Sequence, residues 1–196
     1  TLAIHKSSST LCHDVRDAWY LAQFHQLHSM IFNPSEENCF VGWRIIMLNS
    51  SVEHEVPGDF AASELQFLRE ALEKSKKFHV MVCLHHHPIP MDCAWLDNQV
   101  VKNAEAFWQI IDQFSHIKTI IWGHVHQESD RMRKGVRLLS VPSTCVQFKP
   151  LSEDFAIDDL SPGYRWFDLY ANGDVVTEVS RVEGVKFVVD WTVRGY

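Results

Sequence analysis

The chain contains no run of 18 apolar residues, so it offers no candidate membrane-spanning helix. It shows no secretory leader pattern and no Cys-x-x-Cys pair. Its five cysteines, Cys12, Cys39, Cys83, Cys93 and Cys145, are odd in number and irregularly spaced, so neither a zinc ribbon nor a disulfide framework is suggested. Reduced thiols in a cytoplasm are the expectation. A basic surface is lacking too. Net charge is −7, so neither nucleic acid nor a membrane is an expected partner. There is no internal repeat and no low-complexity linker.

What remains is 196 residues with 46% hydrophobic content, enough for the core of one domain. Histidine is abundant at 12 residues. Two clusters stand out. His85-His86-His87 follows an apolar run and precedes Pro88, and Gly123-His124-Val125-His126 follows another. Imidazole is the commonest protein ligand for borderline metals.

The pattern around these clusters predicts a parallel strand–helix–strand unit. Residues 80–84 and 118–122 are continuous apolar runs, as in strands covered on both faces. Between them Ala104, Phe107, Ile110, Ile111 and Phe114 form a helix stripe, read as core. Both histidine clusters then fall just past strand carboxyl ends, where open α/β sheets bind ligands. Upstream, residues 14–31 have helical periodicity, 43–48 form a buried strand, and Ser63-Glu64-Leu65-Gln66 is read as a capping box opening a helix. The last third is read as antiparallel. Its strands are 137–141, 164–170, 175–179 after an Asn172-Gly173 hairpin turn, and 185–193.

Gly123 is read as allowing close backbone approach at a strand end. His85, first past its strand, is best fixed by the sheet. His86 and His87 are assigned to a supporting, substrate-facing or solvated position. Cys145 is read as a small half-buried side chain rather than a nucleophile, and Asp158-Asp159 as a solvated acidic loop rather than a metal site.

Longer motifs carry a resemblance. Leu84-His85-His86-His87-Pro88-Ile89-Pro90, Cys93-Ala94-Trp95-Leu96-Asp97, Gly123-His124-Val125-His126-Gln127-Glu128, 142–150 and Pro162-Gly163-Tyr164-Arg165 are similar to the bacterial class III cyclic-nucleotide phosphodiesterases. These belong to the calcineurin-like metallophosphoesterases. The resemblance runs from about Trp43 to the C-terminus. It implies a single calcineurin-like domain over 1–196, a C-terminal portion in which 1–40 match poorly. The implied fold is a four-layer α/β/β/α sandwich whose N-terminal part is absent. Implied too are two divalent ions, Fe²⁺ or Mn²⁺ with Zn²⁺ as the alternative, and attack by water on the phosphorus of 3',5'-cyclic AMP to give 5'-AMP. His85, His124 and His126 match metal ligands, and His126 is also assigned to substrate. His13-Asp14 resembles the end of the family's Gly-Asn-His-Asp motif. That makes His13 the catalytic, phosphate-contacting histidine and Cys12 a ligand in place of asparagine.

The family also opens with Asp-x-His and Gly-Asp motifs, the second supplying a carboxylate between the two ions. No Asp-x-His precedes residue 85, and Gly58-Asp59 comes after His13, out of order. The chain, which opens on Thr1, is therefore expected to be the C-terminal two-thirds of an enzyme, weakly active or inactive by itself. Another metallophosphoesterase, acting on a phosphomonoester or glycerophosphodiester, and a non-catalytic nucleotide- or partner-binding remnant are the competing readings.

Overall fold

The computed structural model describes residues 2–6, 31–32 and 42–184. The helix expected over 14–31 lies outside the described residues except at its last position. There Ile31 belongs to a short strand, β2 (Ile31–Phe32). The strand expected at 185–193, and Cys12 and His13, also lie outside them.

A six-stranded sheet carries the two histidine clusters. Its strands are β2, β3 (Trp43–Met47), β4 (His79–Leu84), β5 (Ile117–Trp122), β6 (Ser129–Arg133) and β7 (Val136–Ser140), in the order β2-β3-β4-β5-β7-β6. The β3, β4, β5 and β7 strands run parallel. Alternation along them feeds two cores. Ile46, Val80, Val82, Ile120, Trp122 and Leu138 face helices α1 (Ala62–Lys74) and α3 (Ala104–Ile111), meeting Leu68, Leu72, Phe107 and Ile111. Phe107, Ile110, Ile111 and Phe114 are all buried, as the stripe predicts. Trp43, Ile45, Met81, Ile121 and Leu139 face the other way, onto Phe167 and Leu169.

After a short antiparallel pair, β8 (Gln147–Phe148) and β9 (Ile157–Asp158), the chain enters β10 (Gly163–Leu169), which carries Phe167 and Leu169 and is the centre of a three-stranded sheet with β1 (Leu2–Lys6) and β11 (Val175–Arg181). The result is helix, sheet and sheet in layers, three of the four layers of the expected sandwich. Among the described residues no helix covers the outer side of the small sheet. Polar ties lock the sheets together. Trp43 Nε1 donates to the Tyr170 carbonyl at 2.7 Å, and Arg137 donates to the Val175 carbonyl at 3.0 Å. Arg165, buried in the interface, donates to the Ser140 carbonyl at 3.1 Å.

Two expectations are corrected. β7 is antiparallel only to β6; it pairs parallel with β5. Residues 129–133 read Ser-Asp-Arg-Met-Arg, too polar to signal a strand, yet they form the edge of the sheet. A two-residue turn at Lys134-Gly135, both with positive φ, joins β6 to β7. Ser63 does not cap α1, whose N-cap position is Ala61 and which has no side-chain cap. Glu64 instead accepts the Asn49 N–H at 2.9 Å, fixing the connection that leaves β3. The hairpin at Asn172-Gly173 forms as read, with Gly173 at φ 92°.

Phe167 is the largest fully buried side chain that the small sheet contributes to the sheet–sheet core. Phe167→Ala is expected to cost about 3–5 kcal/mol in urea denaturation. Val176→Ala, on the exposed side of β11, should change stability by less than about 0.5 kcal/mol. Equal small effects would contradict the two-sheet packing.

Candidate metal centre

Backbone register assembles the site. Leu84 pairs with Trp122 at the ends of β4 and β5, and the Gly123 N–H then donates to the His85 carbonyl at 3.1 Å. The two histidine loops therefore leave the sheet side by side. Their rings meet. His124 Nδ1 lies 3.3 Å from His85 Nε2, and ligand atoms of His85, His86 and His124 all lie within 4.8 Å of one another. Two nitrogens bound tetrahedrally at 2.0–2.1 Å sit about 3.3–3.4 Å apart, so the His85–His124 spacing fits a shared divalent ion.

Two of the rings are held from outside the cluster. His86 Nδ1 is 2.8 Å from Ser50 Oγ, which also accepts the His86 N–H at 3.2 Å. His86 is thus buried and anchored, not solvated. His124 Nε2 meets Gln99 Oε1 at 2.7 Å. His87 stacks against His124 at 5.8 Å, fully buried, with no hydrogen-bond partner for either ring nitrogen among the described residues. Burial pushes the His124 imidazole down to about 2, helped by the charges of His86, His85 and His87. Burial likewise takes His86 to about 4, and His87 to about 4 against the pull of Asp97. These three rings are neutral near pH 7, the form in which imidazole binds a cation.

His126 stands apart from this trio. Its ring stacks on Phe148 with centroids 4.4 Å apart, and Trp95 and Phe155 back Phe148 at 5.0 and 5.6 Å. Burial lowers its pKa, and the His85 charge lowers it further. A cavity of about 400 Å³ opens beside it, lined by Gln147, Phe148, Asp158 and Arg181. Both His124 (φ 59°) and His126 (φ 48°) adopt left-handed backbone, which costs an L-residue about 1–2 kcal/mol each. Gly123 is less special than its sequence context implies. A Cβ there would make ordinary contact, 3.6 Å from His85 Nδ1.

Gly58 has the steric role instead. A Cβ on it would fall 2.6 Å from His86 Cγ. Sequence reasoning noted Gly58-Asp59 only as a motif out of order, and it passed over Ser50 and Gln99. Those two are single polar residues in loops, with no local pattern to flag them. Cys145 is exposed and outside the cluster. Neither it nor Asp158-Asp159 joins a group of metal-ligating side chains among the described residues, and no carboxylate does.

Comparison with known proteins fits this geometry. The chain is 43% identical over 166 residues to the 3',5'-cyclic adenosine monophosphate phosphodiesterase CpdA of Vibrio vulnificus, covering 85% of this chain and 61% of that protein. The CpdA of Pseudomonas aeruginosa is 42% identical, with 79% and 57% covered. That of Escherichia coli is 37% identical, with 94% and 66% covered. The chain thus spans roughly three-fifths of the length of these curated relatives. No protein-family model matches it. Among solved structures, a dimetal phosphatase from Danio rerio aligns with TM-score 0.51 at 16% identity, covering 77% of this chain and 57% of that one. GAP50, the anchor in the inner membrane complex of Plasmodium, aligns with TM-score 0.54 at 11% identity over 85% and 54%. The shared fold is the two-sheet sandwich described above.

Gly58→Ala is expected to push His86 off Ser50. We predict a loss of about 1–3 kcal/mol in stability and a weaker Zn²⁺ affinity by isothermal titration. Gly123→Ala, where a Cβ has room, should leave affinity within about threefold. Equal effects at the two glycines would show that His86 is not sterically confined.

Proposed function

We propose that this chain, which belongs to the CpdA family of bacterial cyclic-nucleotide phosphodiesterases, carries part of a centre that hydrolyses 3',5'-cyclic AMP to 5'-AMP. The observation that supports it most is the meeting of His85 and His124 at 3.3 Å, at flush strand ends. In this reading His85 and His124 hold one divalent ion. His126 belongs to a second ion and to the phosphate. His13 contacts the phosphate and Cys12 takes a ligand position, both on the resemblance alone. Fe²⁺ or Mn²⁺ are the ions expected, and a set that includes Cys12 would also suit Zn²⁺. Bound divalent ions supply Lewis-acid polarisation of the phosphoryl oxygens and a lowered pKa for the attacking water.

The protein's own residues supply orientation. Ser50 and Gln99 hold the rings of His86 and His124 in place. Phe148, backed by Trp95 and Phe155, seats the His126 ring. Burial keeps the imidazoles unprotonated and therefore available as donors. Among the described residues no helix is long and apolar enough to cross a membrane. A cytoplasmic site of action and a cyclic-nucleotide partner are part of the proposal.

A second reading has its own observation. The cluster is all imidazole, with no carboxylate among the described residues to offset repulsion between two cations. A single-ion or non-catalytic nucleotide-binding role follows if no carboxylate is supplied. Substrate class is not dictated by the ligands, so a phosphomonoester or glycerophosphodiester is a further alternative within the same chemistry.

Purified protein titrated with Mn²⁺ or Fe²⁺ and assayed for 5'-AMP separates these readings. We expect the 196-residue chain to turn over cyclic AMP slowly or not at all. Addition of a segment bearing Asp-x-His and Gly-Asp motifs should give metal-dependent turnover, reduced at least about a hundredfold by His124→Ala. Robust turnover by the 196-residue chain would overturn the need for a bridging carboxylate. An active extended enzyme indifferent to His124→Ala would overturn the metal assignment.

A further inference from the structure

We infer that Gln99 is a positioning residue that fixes the tautomer of His124, so that Nδ1 is the nitrogen presented to the imidazole cluster. The inference rests on the metal-site reading above. Gln99 Oε1 lies 2.7 Å from His124 Nε2. A carbonyl oxygen can only accept, so Nε2 carries the proton. A neutral imidazole has one N–H, and Nδ1 is left with its lone pair aimed at the side of His85, 3.3 Å away.

Gln99 is well placed to impose that choice because its own segment is pinned at several points. It follows the short helix α2 (Ala94–Asp97), and its N–H donates to the Leu96 carbonyl at 2.7 Å. The Asp97 carboxylate accepts the N–H groups of Met91 at 2.7 Å and Cys93 at 3.2 Å, closing the segment on itself. Cys93 Sγ donates to the Ser152 carbonyl at 3.3 Å, tying it to the loop beyond Phe148. The Val101 N–H donates to the His87 carbonyl at 3.1 Å, tying it to the triple-histidine loop. The segment thus spans both histidine loops and directs one carbonyl oxygen at the ring they share. Partners of this kind on a ligating histidine raise its basicity and hold its angle.

The test is ring-nitrogen NMR of the ¹⁵N-labelled 196-residue chain at neutral pH, with Zn²⁺ affinity measured by chelator competition. In the wild-type chain the His124 proton is expected on Nε2. Gln99→Leu should move the ring to the Nδ1–H form or a mixture, and weaken Zn²⁺ binding about ten- to a hundredfold. Gln99→Glu, which keeps an acceptor in place, should restore both. A wild-type proton on Nδ1 overturns the inference without recourse to any variant, as does a His124 tautomer unchanged in Gln99→Leu. A wild-type chain that binds no Zn²⁺, yet whose tautomer still follows Gln99, overturns the metal reading and supports the positioning role.

Discussion

The register between β4 and β5 is the constraint on which the centre depends. Parallel pairing brings Leu84 opposite Trp122, and one more backbone hydrogen bond carries the alignment past the strand ends. A slip of one residue would invert the faces of every side chain on the strand. It would send Val80, Val82 and Leu84 away from the helices and separate the histidine loops. The cores on either side of the sheet therefore do two jobs at once. By fixing which face of each strand is inward, they fix where the next residue after the strand must appear.

Local devices then convert a shared position into a usable geometry. Four imidazoles packed together would repel if charged, and burial removes that problem by disfavouring the protonated forms. The same burial makes each ring nitrogen seek a partner. Ser50 and Gln99 answer for His86 and His124. The His87 ring has none among the described residues, and it stacks on His124. His126 is held differently, by the face of Phe148, which places it in a separate environment two residues beyond His124.

Much of this was legible in the chain. Continuous apolar runs at 80–84 and 118–122, with the helical stripe at Phe107, Ile110 and Ile111 between them, read as a crossover unit. The site at its carboxyl edge follows from that topology. The parts that were not legible are of one kind. β6 is a strand because β7 offers it a partner, although its own residues are polar. Ser63 looks like a cap, but the helix begins before it and Glu64 bonds back to Asn49 instead. Gln99, Ser50 and Gly58 matter through contacts with residues 25, 36 and 28 positions away, which no local pattern encodes. Pairwise tertiary contacts between loops leave no periodic trace.

The left-handed conformations at His124 and His126 bear on the history of the chain. Glycine or asparagine would occupy those positions with less strain, so drift without chemistry would tend to replace the imidazoles and gain stability by doing so. On the proposed metal reading, stability and ligand chemistry pull in opposite directions at these two residues.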